Sequence, residues 1–211
     1  MTLIAKNISK SFDYPEKFTV FSNISLEVKQ GESVAICGRS GSGKTTLLHI
    51  LGTLEKPDTG DLIIDGQVAT PQNASFLRQH YIGFVFQSYN LLEDFTALEN
   101  VLMPARIARM KYDKEKGLHL LEQVGLSHRA HFPVKLLSGG ERQRIAIARA
   151  LCNDPNLILA DEPSGNLDSA NAEAIGALLL SLTKEKDKSL ILVTHDEQLA
   201  SLCDRIYKLG S

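Results

Sequence analysis

Cysteine is scarce in this 211-residue chain, no apolar run is long, and neither sign of charge dominates. The cysteines, Cys37, Cys152 and Cys203, are odd in number, widely spaced and form no Cys-x-x-Cys pair. That excludes a complete disulfide framework and argues against a zinc site. Cys37 and Cys152 stand beside apolar residues and read as small buried hydrophobes in a reducing cytosol. No stretch reaches the ~18 apolar residues that suggest a membrane span, and residues 1–11 lack the apolar core of a signal peptide. A soluble, cytoplasmic chain is expected. Twenty-three Lys and Arg against 25 Asp and Glu give a net charge of −2, so the bulk charge makes no case for nucleic acid or an anionic membrane surface. The length suits one full-sized domain and is short for two.

What is present is an alternation of short apolar strands with helices. Residues 3–8 and 20–28 alternate and are rich in β-branched side chains, which predicts strands that pair locally and antiparallel. Residues 33–37 (SVAIC) form a short buried strand, followed by a glycine-rich turn and an apolar helical stretch at 46–53. Residues 61–65 read as a strand turning at Asp65-Gly66, and 81–86 as a strand ending at Gln87. From 97 to 125 the pattern is helical with charged faces, so about 87–135 reads as a helical insertion leading into a helix that begins near Ser138. Residues 157–160 (LILA), 189–194 and 205–209 predict further strands, and 169–184 and 197–203 helices. Apolar strands alternating with helices imply a largely parallel sheet covered on both faces.

The turn after residue 37 reads Gly38-Arg39-Ser40-Gly41-Ser42-Gly43-Lys44-Thr45, followed by Thr46. This is G-x-x-x-x-G-K-[ST] between a strand and a helix. Glycines let successive backbone N–H groups converge on an anion, and the helix start adds its positive dipole end. Lys44 is placed to reach the β- and γ-phosphates of a nucleotide, and the Thr45 hydroxyl to ligate magnesium. A magnesium nucleotide also needs a carboxylate at the end of a neighbouring strand. Asp161, after residues 157–160, is suited to hold the metal through water, and Glu162 to polarise the attacking water.

A second glycine-rich helix entry, Leu137-Ser138-Gly139-Gly140-Glu141-Arg142-Gln143-Arg144, precedes an apolar helix. It resembles the signature motif of ABC ATPases, in which each nucleotide lies between one subunit's P-loop and the other subunit's signature motif. The resemblance covers essentially the whole chain. It implies an α/β fold: a P-loop NTPase, RecA-like mixed sheet core with an antiparallel β subdomain and an ABC helical subdomain. Residues 1–211 are then one ATP-binding domain, with 1–86 and 153–211 as core and about 87–152 as the helical subdomain. It implies ATP and Mg2+ as cofactors, catalytic roles for Glu162, His195 and Gln87, and magnesium contacts from Thr45, Gln87 and Asp161. Nucleotide contacts fall on Phe12, on 38–46, on Ser138, Gly139 and Gly140, and on Asp168. Gln87 resembles the Q-loop glutamine that also links to the transport subunit. Gly165-Asn166-Leu167-Asp168 resembles the D-loop that crosses the dimer interface, and His195 the switch histidine at the γ-phosphate. Phe12, in Ser9-Lys10-Ser11-Phe12, resembles the aromatic that stacks on adenine, with Tyr14 as competitor.

The segment Leu91-Leu92-Glu93-Asp94-Phe95-Thr96-Ala97-Leu98-Glu99-Asn100-Val101, with Met103-Pro104, is similar to lipoprotein-releasing ATPases of the LolD type. Residues 160–168 fit the wider group that also holds MacB-type exporters and division-associated FtsE proteins. The usual Thr is Ser164 here, and relatives continue briefly past the point where this chain stops, at Gly210-Ser211. The resemblance implies an ATPase that dimerises on binding ATP and docks peripherally on integral permease subunits at the cytoplasmic face of the inner membrane, with no nucleic-acid partner. A P-loop kinase outside the family would leave 138–144 and His195 without a role.

Overall fold

Parallel strands form the centre of the computed structural model, which describes residues 1–13 and 16–210. In chain order the first half holds β1 (Leu3–Phe12), β2 (Phe18–Val28), β3 (Ser33–Cys37), α1 (Lys44–Leu51), β4 (Thr59–Ile64), β5 (Gln67–Val68), α2 (Ala74–His80) and β6 (Ile82–Val85). The second half holds α3 (Ala97–Ile107), α4 (Lys114–Gln123), α5 (Gly139–Ala150), β7 (Leu157–Asp161), α6 (Ser169–Glu185), β8 (Ser189–Val193), α7 (Glu197–Ser201) and β9 (Arg205–Lys208). Strands β6-β7-β8-β3-β9 make a five-stranded sheet, parallel throughout, and β2-β1-β4-β5 a separate antiparallel one.

Continuous apolar runs in β7 and β8 follow from burial on both faces. Alternate residues serve opposite cores. Ile158, Ala160, Leu190 and Leu192 pack with the helices α3–α6, whereas Leu157, Leu159, Ile191 and Val193 pack with α1 and the antiparallel sheet. Each fully buried Leu or Ile contributes about 1.5–3 kcal/mol. Cys152 and Cys203 lie in the helical-side core, as small hydrophobes would, while Cys37 is only half-buried.

Two elements were not foreseen. Helix α2 buries only Leu77, so it carries no apolar periodicity, and β5 is two residues long. In the helical part, α3, α4 and α5 pack on one another. Asn100, buried in α3, donates to the carbonyls of Leu92 and Thr96 at 3.0 Å and accepts from the Leu92 N–H at 2.8 Å. It therefore fastens the 92–96 loop, satisfying backbone groups that would otherwise be orphaned.

Candidate functional site

Because the strands of the central sheet are parallel, their C-terminal ends lie on one edge, where α/β sheets bind ligands. Cys37 of β3 leads into Gly38, Val85 of β6 leads toward Gln87, β7 ends on Asp161 followed by Glu162, and β8 leads into Thr194-His195. Residues far apart in sequence meet there for a topological reason.

The loop 38–43 is held by contacts only glycine permits. Gly41 and Gly43 have φ of +77° and +88°. A Cβ on Gly43 would strike Val20, and one on Gly38 would come within 2.8 Å of the Leu209 carbonyl. Gly43 caps α1 without a side-chain hydrogen bond, so the first amides of the helix remain available to an anion. The Lys44 ammonium arches back over the loop, donating to the carbonyls of Gly38 at 3.0 Å and Arg39 at 3.1 Å.

The Thr45 hydroxyl donates to Asp161 at 3.2 Å. Burial pushes the Asp161 carboxyl above its ordinary pKa, and the Thr45 hydrogen bond only partly opposes this. Among the described residues no salt bridge neutralises Asp161 and no three His, Cys, Asp or Glu cluster as a metal cage. A buried carboxylate beside one hydroxyl, next to an anion loop, suits magnesium, which favours one or two carboxylates with phosphate and water.

Glu162 follows in a left-handed conformation, φ 42°, which is uncommon for a residue with a side chain. Its N–H still reaches the Val193 carbonyl at 2.9 Å, extending the β7–β8 ladder. Its carboxylate lies 2.8 Å from His195 Nδ1, with a side chain 15% exposed against 73% for His195. Glu162 is thus sheltered and oriented, and differs from a solvated neighbour of a capping Asp161.

One open depression of about 410 Å³ gathers Phe12, Ser40, Gly41, Gly43, Lys44, Thr45, Thr46 and Glu162. Phe18 and Val20 also line it and were missed by sequence reasoning. Phe12 and Phe18 face each other across the β1–β2 ladder, both exposed. Phe18 precedes the strand read at residues 20–28, and the structure starts β2 at Phe18, ahead of the alternation. Tyr14 lies outside the described residues.

Ser138, Gly139, Gly140 and Asp168 do not line this depression. Ser138 caps α5 in a reciprocal box with Glu141: its Oγ accepts from the Glu141 N–H at 3.3 Å, and Glu141 accepts from the Ser138 N–H at 2.9 Å. That backbone bond, with the Ser138 hydroxyl and Arg129, holds the Glu141 carboxyl below its ordinary pKa. Asp168 caps α6, accepting from the Asn171 N–H at 3.0 Å, a bond that lowers its pKa. The positions that would bear a Cβ at Gly139 and Gly140 abut Tyr89 and Asn171. Gln87 sits against Gly165, and its carbonyl accepts from Asn166 Nδ2 at 2.9 Å. Arg149, at the far end of α5, donates to the carbonyls of Tyr89, at 2.7 Å, and Asn90. Burial lowers its pKa to about 10. The 87–90 segment is therefore held to the C-terminal end of α5 through Arg149, and Tyr89 packs close to Gly139 at its start.

A larger groove of about 530 Å³ lies beside that segment, between α2, β6 and α3. Its walls include Phe84, Phe86, Leu92, Met103 and Ile107, with Arg149 at its edge. Sequence reasoning did not anticipate it, because its walls come from α2, β6, α3, α5 and the loop after β6, which are far apart in the chain.

The sequence profile of the family described as ABC transporter matches residues 21–165. The lipoprotein-releasing system ATP-binding protein LolD of Protochlamydia amoebophila is 56% identical, the alignment covering 99% of this chain and 94% of that protein. The LolD of Treponema denticola is 48% identical over 98% of this chain and 94% of its own length. Among solved structures, the dimeric ATP-binding cassette MJ0796, in a post-hydrolysis state bound to ADP and Pi, superposes with a TM-score of 0.89 at 39% identity. That match covers 98% of this chain and 94% of the other. With the strand-end geometry above, these likenesses make the chain a member of the ABC transporter family of ATP-binding subunits.

Proposed function

We propose that this chain is the ATP-hydrolysing subunit of a lipoprotein-releasing ABC system, working as a homodimer on the cytoplasmic face of the inner membrane through permease subunits. The observation that supports this most is the single depression joining an exposed aromatic, an uncapped helix start in a glycine loop, and a Glu162 carboxylate oriented by His195. The identity to LolD proteins supports the finer assignment.

In this reading adenine stacks on Phe12, the triphosphate follows the loop amides, and Lys44 exchanges its loop carbonyls for β- and γ-phosphate oxygens. Magnesium, when held by Thr45 and by Asp161 and Gln87, supplies neutralising charge at those phosphates. Glu162 takes a proton from water as the water oxygen bonds to the γ-phosphorus. The bond to the bridging oxygen breaks, and ADP leaves with its electron pair. His195 keeps the carboxylate aimed and reaches toward the γ-phosphate. Ser138, Gly139 and Gly140 serve the nucleotide on the partner subunit, and Asp168 holds the D-loop in shape by capping α6.

Phe12→Ala should lower ATP affinity by roughly tenfold to a hundredfold, the worth of one base-stacking contact, about 1–3 kcal/mol. Affinity for inorganic tripolyphosphate should not change, since that ligand has no base. If Phe18→Ala produces the loss and Phe12→Ala does not, the platform is Phe18.

The apolar groove beside the 87–90 segment is the surface we assign to the permease, since exposed apolar patches bordered by polar groups mark partner sites. Purification of tagged chain from membranes should bring down integral subunits identifiable by mass spectrometry. Met103→Asp, placing a charge in the groove, should reduce that recovery at least tenfold with ATP binding unaltered. Recovery of a macrolide-exporter or division-type membrane protein would redirect the pathway, and full recovery with the variant would remove the groove from the interface.

A further inference from the structure

The turn joining α3 to α4 departs from the rest of the chain in charge and in exposure. Residues 106–116 carry Arg106, Arg109, Lys111, Lys114 and Lys116 against Asp113 and Glu115, a local charge of +3, which leaves −5 on all other residues together. All five cations are exposed, and none is in a salt bridge among the described residues. Asp113 is occupied in capping α4, accepting from the Lys116 N–H at 3.0 Å. Interleaved with the cations are Ile107, Met110 and Tyr112, at 64%, 37% and 48% exposure. The near-zero charge balance of the whole sequence hides this patch because the opposing acids lie elsewhere.

The tip has a defined shape. Helix α3 ends with the Ala108 N–H on the Pro104 carbonyl and the Met110 N–H on the Ala105 carbonyl, and Arg109 turns the chain at φ +53°. The apolar and basic side chains are thus presented together by a closed helix end. Ile107 belongs both to the tip and to the groove assigned above to the permease.

We propose that the 106–116 tip is a contact site for an anionic lipid surface. Five unpaired cations match the field of acidic headgroups, and exposed Ile, Met and Tyr can enter the headgroup region where water is thin. An acidic protein would need carboxylates at matching positions, and the three apolar side chains amid the cations are better suited to a fluid interface. The orientation toward the bilayer rests on the groove being the permease surface, while the lipid contact itself needs no permease.

The test is sedimentation of the full-length chain with vesicles at low ionic strength. Vesicles of phosphatidylcholine with about a quarter phosphatidylglycerol supply the acidic surface, and pure phosphatidylcholine vesicles the control. Binding is expected only to the acidic vesicles and should fall away near 0.15 M salt, where screening acts within ~8 Å. The triple variant R109E/K111E/K114E should lower bound protein at least tenfold. Met110→Ser with Tyr112→Ser, neither of which lines the groove, should lower it with charge unchanged. Reversing the exposed Lys6, Lys17 and Lys29 instead should change binding much less, and unaltered thermal melting and ATP turnover would verify that the variants fold. Absence of acidic-vesicle binding, or equal binding by the tip variants, overturns the proposal. If in that case the tip variants lose permease on co-purification, the surface belongs to a protein partner. Failure with vesicles leaves the groove assignment standing, since Met103→Asp tests it separately.

Discussion

Glu162→Gln is expected to abolish ATP turnover, retain ATP binding and hold the subunits together as a dimer. The amide keeps the shape of the side chain and can still accept a hydrogen bond from His195, now 2.8 Å from the carboxylate. It cannot take the proton from water. General-base catalysis is worth about 10²–10⁴-fold, so residual turnover should be under about 1% of the parent chain. The loop amides, Lys44 and Thr45 are untouched, so affinity should stay within about twofold. With ATP bound and no route to ADP, size-exclusion chromatography should show a dimer at saturating ATP and a monomer without it. A variant that hydrolyses at near the parent rate, or remains monomeric with ATP, removes Glu162 from the role of base.

Ser138→Arg is expected to leave the affinity of a single subunit for ATP nearly intact and to abolish hydrolysis. Ser138 lines no part of the depression formed by Phe12, Ser40, Gly41, 43–46 and Glu162, so its own subunit's nucleotide should not sense it. The cost falls on dimer closure, where a guanidinium replaces a hydroxyl at the start of α5. A local cost is expected as well, since the reciprocal cap with Glu141 is lost, typically about 1 kcal/mol of stability. Melting would report that part separately. Mixing S138R with Lys44→Ala makes one composite site with both elements sound and one with both defective. Recovery of activity in the mixture requires sites formed in trans, because in cis every subunit would keep a defect. Cysteines placed at Ser40 and Ser138 give an independent readout. Crosslinks between chains in the ATP state support the head-to-tail arrangement, and crosslinks within one chain overturn it.

Much of the chemistry could be read from short contiguous segments. An anion loop needs glycines, a lysine and a hydroxyl within eight residues, and Gly38 to Thr45 supplies them in consecutive backbone. Strand β3 was legible to the residue because both its faces are buried and its end is fixed by the loop. Where burial is one-sided or slight the reading failed: α2 buries a single leucine, and β1 runs four residues beyond its clear alternation, through irregular pairing to Phe12.

Local sequence determined which residues could bind phosphate, cap α5 and α6, and build a doubly covered parallel sheet, since these depend on neighbours within a turn or strand. Tertiary structure alone decided which of them meet. The order β6-β7-β8-β3-β9 brings Gln87, Glu162, His195 and the loop to one sheet edge, because parallel strands all end on the same side. It set Phe18 opposite Phe12 through hairpin pairing, and it tied the 87–90 segment to the end of α5 through Arg149. It also exposed a basic, apolar tip on a chain of slightly negative net charge. Pairing register and burial join residues across long stretches of chain, and no local pattern carries that information.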